Sequence, residues 1–316
     1  MPKSPRHGSL QFYPRKRASK LLPSVNWDPV LSRVQGEGLL GFIGYKVGMA
    51  TAIVKDATEK SMTAGKKISL PVTILEVPNM KIFSIRFYKD NKVMKDIVVS
   101  NDKELKRKLK IPKQVQSLEK IPENYEDVRI VVYSLPKQTT VKKTPDIIEL
   151  AIKSPNKLEF VKSLLNKEIS LSDFIKSNLV DLRSLTKGKG TVGPVKRFGI
   201  GLRQHKSEKG RRGPGSLGPW HPAHVTFRTP IAGQLGLFSR VQYNNKIIGS
   251  GNTKEKDINP GSGFQHYGKI KTSYLILAGS VSGPQKRQIL LTPSFRPTKS
   301  KLKKKYEFIE LITERK

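Results

Sequence analysis

The sequence predicts a mainly β fold that carries a mixed α/β insertion. From Gly38 onward, short apolar runs rich in β-branched and aromatic residues stand between Gly, Pro and Asn residues, which is typical of strands. Helical patterns are confined to the middle of the chain, between about residues 88 and 178. Because the strands are short, come from noncontiguous segments and are separated by Gly-rich turns, they favour a closed or partly closed barrel.

The charge of the chain limits the classes of partner. Its 316 residues include 60 Lys and Arg against 25 Asp and Glu, a formal net charge of +35. A chain with this charge repels itself when compact, so it needs a polyanion, with nucleic acid first and an anionic membrane surface second. Hydrophobic residues make up 36% of the chain, which is enough for one core but too little to bury every segment. The other segments are expected to be extended or to lie against a partner.

Residues 1–36 are predicted to form an extended basic N-terminal tail. Pro2, Pro5, Pro14 and Pro23 break any amphipathic helix ahead of Asp28, and no acid occurs before that residue. The stretch lacks the apolar centre of a secretory signal. The chain contains no cysteine, which excludes disulfides, thiolate nucleophiles, zinc ribbons and iron–sulfur sites. These features favour a soluble, cytoplasmic protein.

Residues 37–87 are predicted to form the first part of the barrel. Three strand-like stretches follow one another here, "GFIGYKVGMATAIV", "ISLPVTILEVP" and "KIFSIRFYK". The segment from Gly38 to Val54 is the best candidate for a membrane span, but Lys46 lies at its centre. Its four glycines favour a bent strand pair over a lipid-facing helix, so no membrane partner is expected.

Residues 88–178 are predicted to form the mixed α/β insertion. The stretch "YEDVRIVVYSL" is strand-like. The stretch "NDKELKRKLKIPKQVQSLEK" is helical in type, with Asp102 and Glu104 at its start and Pro112 as its stop.

Two further helices are predicted in the same insertion. The stretch "SPNKLEFVKSLLNKE" has an apolar face at helical spacing and Ser154 as its expected N-cap. The face consists of Leu158, Val161, Leu164 and Leu165. The stretch "SLSDFIKSN" is expected to form one short helix.

Residues 179–200 and 239–316 are predicted to complete the barrel as its second and third parts. The stretch "LVDLRSLTKGKG" is again strand-like. The stretch "FSRVQYNNKIIGSGN" is expected to form a hairpin with its turn at Asn244-Asn245. The stretch "KIKTSYLILAGSVSGPQKRQILLTP" supplies two strands around a turn from Gly279 to Pro284. The alternating segment "YEFIEL" is expected to close the fold as an edge strand.

Two short patterns suggest catalytic or metal sites that their context excludes. The stretch "GFQHYGK" matches the start of a phosphate-binding loop, but Ile270 stands where Ser or Thr is needed and a strand follows instead of a helix. His221 and His224 are spaced like metal ligands, yet no Cys or carboxylate lies near them in sequence, and zinc needs three or four ligands. We therefore expect no metal, no cofactor, no small-molecule substrate and no catalytic residue.

Residues 201–238 are predicted to form a long basic loop. In the wider stretch from Thr186 to Arg240, eleven basic residues stand against one acid, Glu208. Arg can donate two N–H groups to one phosphate, and aromatic side chains such as Trp220 can stack on unpaired bases. Because its many Gly and Pro residues exclude a helix or a regular sheet, a loop of this length needs a partner to hold it. The pattern predicts RNA binding.

Six stretches of the sequence jointly match one known family. They are "PRHGSLQFYPRKRA", "GFIGYKVGM", "SLTKGKGTVGPVKRFGI", "GSLGPWHPAHV", "AGQLGLFSRVQYNNKI" and "KTSYLILAGSVSGPQKRQI". With them the chain resembles large-subunit ribosomal protein L-three over nearly its whole length. The "GPWHPAH" form and the long middle insertion are archaeal or eukaryotic in type, and the short length favours the archaeal type.

The resemblance implies a six-stranded β-barrel of the translation-protein type. It implies that the N-terminal tail and the central loop penetrate large-subunit, 23S-type rRNA. Trp220 would then be the loop tip, close to the peptidyl transferase centre, and the loop would buttress rRNA there without doing chemistry. The resemblance also implies an early role in subunit assembly, and neighbours such as ribosomal proteins of the L-fourteen and L-twenty-four-e types.

The residues expected to contact rRNA carry a positive charge, an imidazole or an indole, and they lie in the tail and around the loop. They are Arg6, His7, Arg15, Lys16, Arg17, Lys187, Lys189, Lys196, Arg197, Arg203, His205, Lys206, Lys209, Arg211, Arg212, Trp220, His221, His224, Arg228 and Arg240.

Two other functions stay open from the residues alone. An RNA-modifying enzyme with a basic cleft would need a cofactor or acid/base signature, and none is visible. A sequence-specific DNA-binding regulator would need a recognition helix, whereas the basic residues lie in loops. For residues 201–238 the alternative is a disordered basic loop, although such loops rarely carry Trp or Phe.

Overall fold

The structure is a computed structural model that describes residues 4, 6–115 and 121–312. Its secondary structure is mainly β, which confirms the mainly β class predicted from the sequence. The longest α-helix has eight residues, so strands carry the fold.

The chain divides into two compact units. The first, here called the loop unit, comprises Met1–Ser19 and Leu185–Arg240. The second, here called the strand unit, comprises Lys20–Ser184 and Val241–Lys316.

Fourteen strands and five α-helices lie in the described ranges. The strands are β1 (Gly38–Leu39), β2 (Phe42–Asp56), β3 (Lys67–Val77), β4 (Met80–Lys89), β5 (Lys92–Val98), β6 (Asp127–Ser134), β7 (Ile147–Lys153), β8 (Leu179–Leu185), β9 (Thr191–Val192), β10 (Gly233–Gln234), β11 (Ser239–Asn252), β12 (Ser273–Ala278), β13 (Gln288–Pro293) and β14 (Tyr306–Ile312). The helices are α1 (Asp28–Arg33), α2 (Lys157–Leu164), α3 (Leu171–Phe174), α4 (Pro194–Phe198) and α5 (Lys299–Lys303).

Six strands pair in a closed ring, here called the strand ring. Their order is β2–β3–β12–β11–β8–β13, and β13 pairs with β2 as well as with β8. At the closure Gln288 of β13 lies opposite Tyr45 of β2, and Leu290 lies opposite Arg183 of β8. Strand β14 stands outside the ring and pairs with β2, which confirms the edge strand predicted for "YEFIEL".

Five further strands form a second sheet, in the order β1–β7–β6–β4–β5. Strand β4 is present as predicted, but it pairs with β5 and β6 and not with the ring strands. The boundary expected between residues 87 and 88 therefore falls inside a strand of this sheet. A strand-like run shows that a strand exists, but its pairing partner is set by distant residues.

Trp27 is buried in the larger hydrophobic core. Its side chain is 1% exposed, and its indole N–H donates to the backbone carbonyl of Glu149 in β7 at 3.2 Å. Val30 and Val34 are buried in the same core. The extended tail therefore ends well before residue 36, because these three apolar side chains give the segment enough surface to bury.

The predicted bent strand pair from Gly38 to Val54 is wrong. Strand β1 joins the second sheet and β2 joins the strand ring, so the two do not pair with each other. Strand β2 is one long strand whose register shifts between Lys46 and Gly48. Lys46 is buried, and its ammonium donates to the carbonyl of Gly283 at 3.1 Å. None of the helices in the described part of the chain is long and apolar enough to cross a membrane.

The helix predicted from Asp102 onward is replaced by a 3-10 helix, Lys103–Arg107. Leu105 is its one buried residue, so the segment lacks the apolar stripe that stabilises an α-helix by packing. The end of the predicted helix, residues 116–120, lies outside the described residues.

The other two predicted helices are confirmed as α2 and α3. Val161 is the buried residue of α2, and the residue before the helix is Asn156, so the expected N-cap Ser154 is wrong by two positions. Helix α3 begins with a capping box. The Ser170 side chain accepts from the backbone N–H of Asp173, and the Asp173 carboxylate accepts from the backbone N–H of Ser170.

The hairpin turn predicted at Asn244-Asn245 is wrong. Strand β11 runs through both residues. Asn244 has a φ of 59°, a left-handed conformation that Asn adopts more readily than most residues. Its N–H donates to the Asp181 carboxylate in β8 at 2.7 Å, so the irregularity joins two ring strands. The strands predicted around the turn from Gly279 to Pro284 are confirmed as β12 and β13, although they are not ring neighbours.

A buried carboxylate holds the segment "GFQHYGK". Glu76 in β3 accepts hydrogen bonds from the backbone N–H groups of Lys271 and Thr272, at 2.8 and 3.2 Å. It also accepts from the Tyr267 hydroxyl, whose pKa is raised by burial and then by the charge of Glu76. Strand β12 follows the segment, which confirms that no helix is there to meet a phosphate.

Candidate nucleic-acid interface

The loop unit is set apart by its lack of acids. Its two segments contain sixteen Lys and Arg and one acid, Glu208. The strand unit holds the other 24 acids together with 44 Lys and Arg. Positive charge in the loop unit is therefore almost without internal compensation, which produces a potential that attracts polyanions.

A short antiparallel ladder forms the base of the loop. Strand β9 pairs with β10, and beside it the Lys189 N–H donates to the Leu235 carbonyl at 3.0 Å. Gly236 has a φ of 77°, and a Cβ there would lie 1.9 Å from the carbonyl oxygen of Lys187. Only glycine fits this close approach, which holds the two ends of the loop side by side.

Arg197 ties helix α4 to this base. The helix ends at Gly199, whose φ of 67° is the left-handed cap that glycine favours. The Arg197 guanidinium donates to the carbonyls of Gln234 and Ile231, at 3.0 and 2.9 Å. Burial, and then the charge of Arg15, lower the pKa of Arg197. Two backbone carbonyls thus occupy donors of this side chain, which stabilises the loop base.

The N-terminal segment packs on the loop within the same unit. The Ala18 N–H donates to the Leu237 carbonyl at 3.0 Å. The Arg15 guanidinium donates to the Arg197 carbonyl at 2.6 Å and lies 4.3 Å from the centre of the Phe198 ring, a cation–π distance. The tail and the loop, predicted from the sequence as separate elements, therefore form one surface.

The distal loop, residues 199–232, has neither helix nor strand. One turn in it is closed by the Arg203 N–H, which donates to the Arg211 carbonyl at 3.0 Å. Trp220 is 85% exposed and Phe227 is 65% exposed. Large aromatic side chains at this exposure can stack on the unpaired bases of a nucleic acid.

Fourteen of the twenty predicted contact residues are exposed. They are Lys16, Arg17, Lys187, Lys189, Lys196, His205, Lys206, Lys209, Arg211, Arg212, Trp220, His221, His224 and Arg228. Their charged groups and rings face solvent, where phosphates and bases can reach them.

The other six are half-buried and bond within the loop unit. They are Arg6, His7, Arg15, Arg197, Arg203 and Arg240. Arg6 donates to the Gly8 carbonyl at 2.7 Å, and the Arg240 guanidinium lies 4.6 Å from the centre of the Phe12 ring. These side chains shape the surface as well as charging it.

His221 and His224 lie in the distal loop, where both are exposed. Across the ranges that the structure describes, no three His, Asp or Glu side chains lie close enough together to hold a metal ion.

Exposed apolar side chains, which were not predicted from the sequence, accompany the cations. They are Leu10, Phe12, Leu202, Leu217, Val225 and Ile231, each more than two-fifths exposed. The signal for them was present, since these residues follow no helical or strand period and stand among Gly, Pro and basic residues. They give the surface apolar patches on which riboses and bases can pack.

Comparison with known proteins identifies the relatives of the chain. The family model described as ribosomal protein L3 matches residues 1–314. The large ribosomal subunit protein uL3 of Methanocaldococcus jannaschii is 39% identical, over 95% of this chain and 93% of the relative. The proteins of the same name from Archaeoglobus fulgidus and Thermoplasma acidophilum are each 40% identical. The alignments cover 94% and 98% of this chain, and 93% and 97% of those relatives.

Proposed function

Because the chain belongs to the ribosomal protein L3 family, we propose that it is a structural constituent of the large ribosomal subunit and binds 23S-type rRNA. One observation carries the proposal: sixteen cations with a single acid share the loop unit with Trp220, which is 85% exposed. Uncompensated charge suits phosphates, and an exposed indole suits an unpaired base. Neither feature stabilises the protein in the absence of RNA.

The proposed binding mode assigns roles by exposure. The fourteen exposed contact residues meet phosphates and bases directly, and the six half-buried ones hold the tail and the loop in the shape that the RNA meets. We propose that residues 201–238 reach toward the peptidyl transferase centre with Trp220 at the tip, flanked by His221 and His224. There the loop buttresses rRNA and does no chemistry.

We propose that the strand ring is the six-stranded β-barrel of the translation-protein type. In support, each ring strand pairs with two ring neighbours. The loop leaves the ring after β8 and returns at β11, so both of its ends continue into paired strands.

We also propose where the protein acts in the cell and which proteins lie next to it. It acts in the cytoplasm, within the large subunit, from an early step of subunit assembly. Its protein neighbours are proposed to include members of the L-fourteen and L-twenty-four-e types. The proposal assigns it neither an enzymatic activity nor a cofactor.

Sedimentation of cell extract followed by a salt wash tests the proposal. The chain should travel with the large subunit and stay bound at about 1 M salt, where the Debye length is only ~3 Å. A chain held by exposed phosphate contacts alone would wash off. A matched variant in which a short Gly-Ser linker replaces residues 205–225 should be released at lower salt. Wild-type chain that sediments apart from the large subunit would contradict the proposal.

A further inference from the structure

A cavity of about 320 Å³ lies inside the loop unit. Ser4 and His7 of the N-terminal segment form one part of its wall, and residues between Ser216 and Pro230 form the rest. The volume is at the lower end of the range of ligand pockets, about 300–1,000 Å³. A single nucleotide can enter a space of this size, whereas a nucleic-acid helix cannot.

The polar groups on the cavity wall suit an anion. The polar lining residues are Ser4, His7, Ser216, His224, Thr226, Arg228 and Thr229. No acid lines the cavity, and the one acid of the loop unit lies elsewhere in the loop. Guanidinium and imidazole N–H groups on one wall are donors that can bind a phosphate.

Hydrogen bonds inside the wall hold Thr229, the residue after Arg228, in place. The Thr229 hydroxyl donates to the Leu217 carbonyl, and its N–H donates to the Thr226 carbonyl, each at 3.1 Å. In the described part of the chain, neither the His224 ring nor the Arg228 guanidinium has a hydrogen bond or an ion pair with the protein. His224 and Arg228 therefore keep their donors free for a ligand, whereas the Thr229 and Ser216 hydroxyls already donate to backbone carbonyls.

The remaining wall is apolar. Pro219, Pro222 and Pro230 line the cavity together with Leu217. Flat pyrrolidine faces opposite polar donors match a nucleotide, which has an anionic end and an apolar sugar and base face. An inorganic anion would use the donors but leave the apolar wall uncovered.

We propose that this cavity holds one unstacked nucleotide of the rRNA. Its phosphate lies against Arg228 and His224, and its sugar and base lie against the prolines. The inference rests on the proposed rRNA-binding function and adds that the tail and the loop bind one nucleotide jointly. The same donors could also bind a carboxylate side chain of a neighbouring protein. Such a side chain has no sugar or base to cover the apolar wall.

A structure of the native large subunit tests the inference. We expect one nucleotide in the cavity, with a phosphate oxygen at hydrogen-bond distance from Arg228 or His224. A protein carboxylate in that place, or solvent alone, would overturn the inference while leaving the proposed function intact. Absence of the chain from the subunit would instead overturn the proposed function.

A pair of matched variants tests the same contact in solution. Arg228→Gln removes a charge from the cavity wall, and Arg107→Gln removes one from an exposed position in the strand unit that is not among the proposed rRNA contacts. Chemical probing of ribose mobility in purified large subunits should show a rise of roughly tenfold at one nucleotide in the Arg228 variant alone, the effect of losing one charge-assisted hydrogen bond. Identical probing patterns in the two variants would overturn the inference. If the Arg228 variant does not assemble, the structure of the wild-type subunit decides.

Discussion

Arg15 donates a 2.6 Å hydrogen bond to the backbone carbonyl of Arg197, although 182 positions of the chain separate the two residues. The same guanidinium stacks on Phe198, and Arg197 in turn bonds two carbonyls of the loop base. Order in the N-terminal segment and order at the base of the loop therefore depend on one chain of contacts.

Arg15→Ala should loosen the N-terminal segment. The change removes the bond to Arg197 and the stack on Phe198, which together are worth about 1–2 kcal/mol. Hydrogen exchange at the Ala18 amide, which donates to Leu237, should then be roughly tenfold faster. Arg17→Ala, at an exposed position, is the control and should leave this amide protected. Equal acceleration in both variants would show that total charge, and not docking, orders the segment.

The two tryptophans should respond oppositely to truncation. Trp220→Ala should change the free energy of unfolding by less than about 0.5 kcal/mol, because the side chain is 85% exposed. Trp27→Ala should cost about 3–5 kcal/mol, because the side chain is 1% exposed and fills the core. Chemical denaturation of the free protein measures both values.

The same pair separates stability from function. Ribosomes that carry the Trp220 variant should translate more slowly although the protein is fully folded. Unfolding of the free protein by the Trp220 change alone would place this side chain in the core and contradict the assigned role.

Asp56 should make stability depend on acid pH. Hydrogen bonds from Thr58 and Thr63, with a further one from Ser61, hold the pKa of Asp56 well below its ordinary value. Since the folded-state pKa is the lower one, this stabilisation is present above about pH 4 and is lost as the pH falls through the folded-state pKa. Asp56→Asn should therefore be less stable than wild type at pH 7, and the difference should shrink below about pH 4.

Urea unfolding at a series of pH values checks this, with Glu59→Gln as the control. Glu59 pairs with Lys305 at 2.9 Å, but the carboxylate side chain is 81% exposed, so its removal should matter little at any pH. A difference for Asp56→Asn that stays constant from pH 7 to about pH 2 would contradict the assignment.

Charge changes in the distal loop should act on RNA affinity and not on folding. Arg212→Ala should lower affinity for a large-subunit rRNA fragment and reduce the slope of log affinity against log salt by about 1. Glu208→Gln removes the one acid of the loop unit and should raise affinity at low salt. Filter binding across a salt series measures both. Unchanged slopes in both variants would place these residues away from the phosphates.

Local sequence predicted the strands whose side chains match the pattern of a buried sheet. Strand β3 is an example, since its last six residues are all buried and mostly β-branched or leucine. Strand β5 was missed because Lys92, Lys95 and Asp96 break its apolar pattern and only Ile97 is buried. The charged strand is stable because its backbone pairs with β4, and no local pattern shows that pairing.

In the candidate interface, too, some features could be predicted from the local sequence and others could not. The cations and aromatic residues of the loop could be predicted, since their density in an acid-free stretch is a property of composition alone. The internal role of Arg197 could not, because its acceptors are carbonyls that the fold brings to it. The cavity in the loop unit could not be predicted either, because its wall combines residues 4 and 7 with residues more than 200 positions away.

The order of pairing in the strand ring has a consequence for the synthesis of the protein. Strand β2 is complete at Asp56, but its closing partner β13 begins at Gln288. At about 5–20 residues per second, β2 waits roughly 10–50 s for that partner to be translated. The basic residues of the loop unit, which end at Arg240, are all made during or before this interval. In the growing chain, charge that attracts RNA is thus available before the ring can close, and RNA can be the first partner that these segments meet.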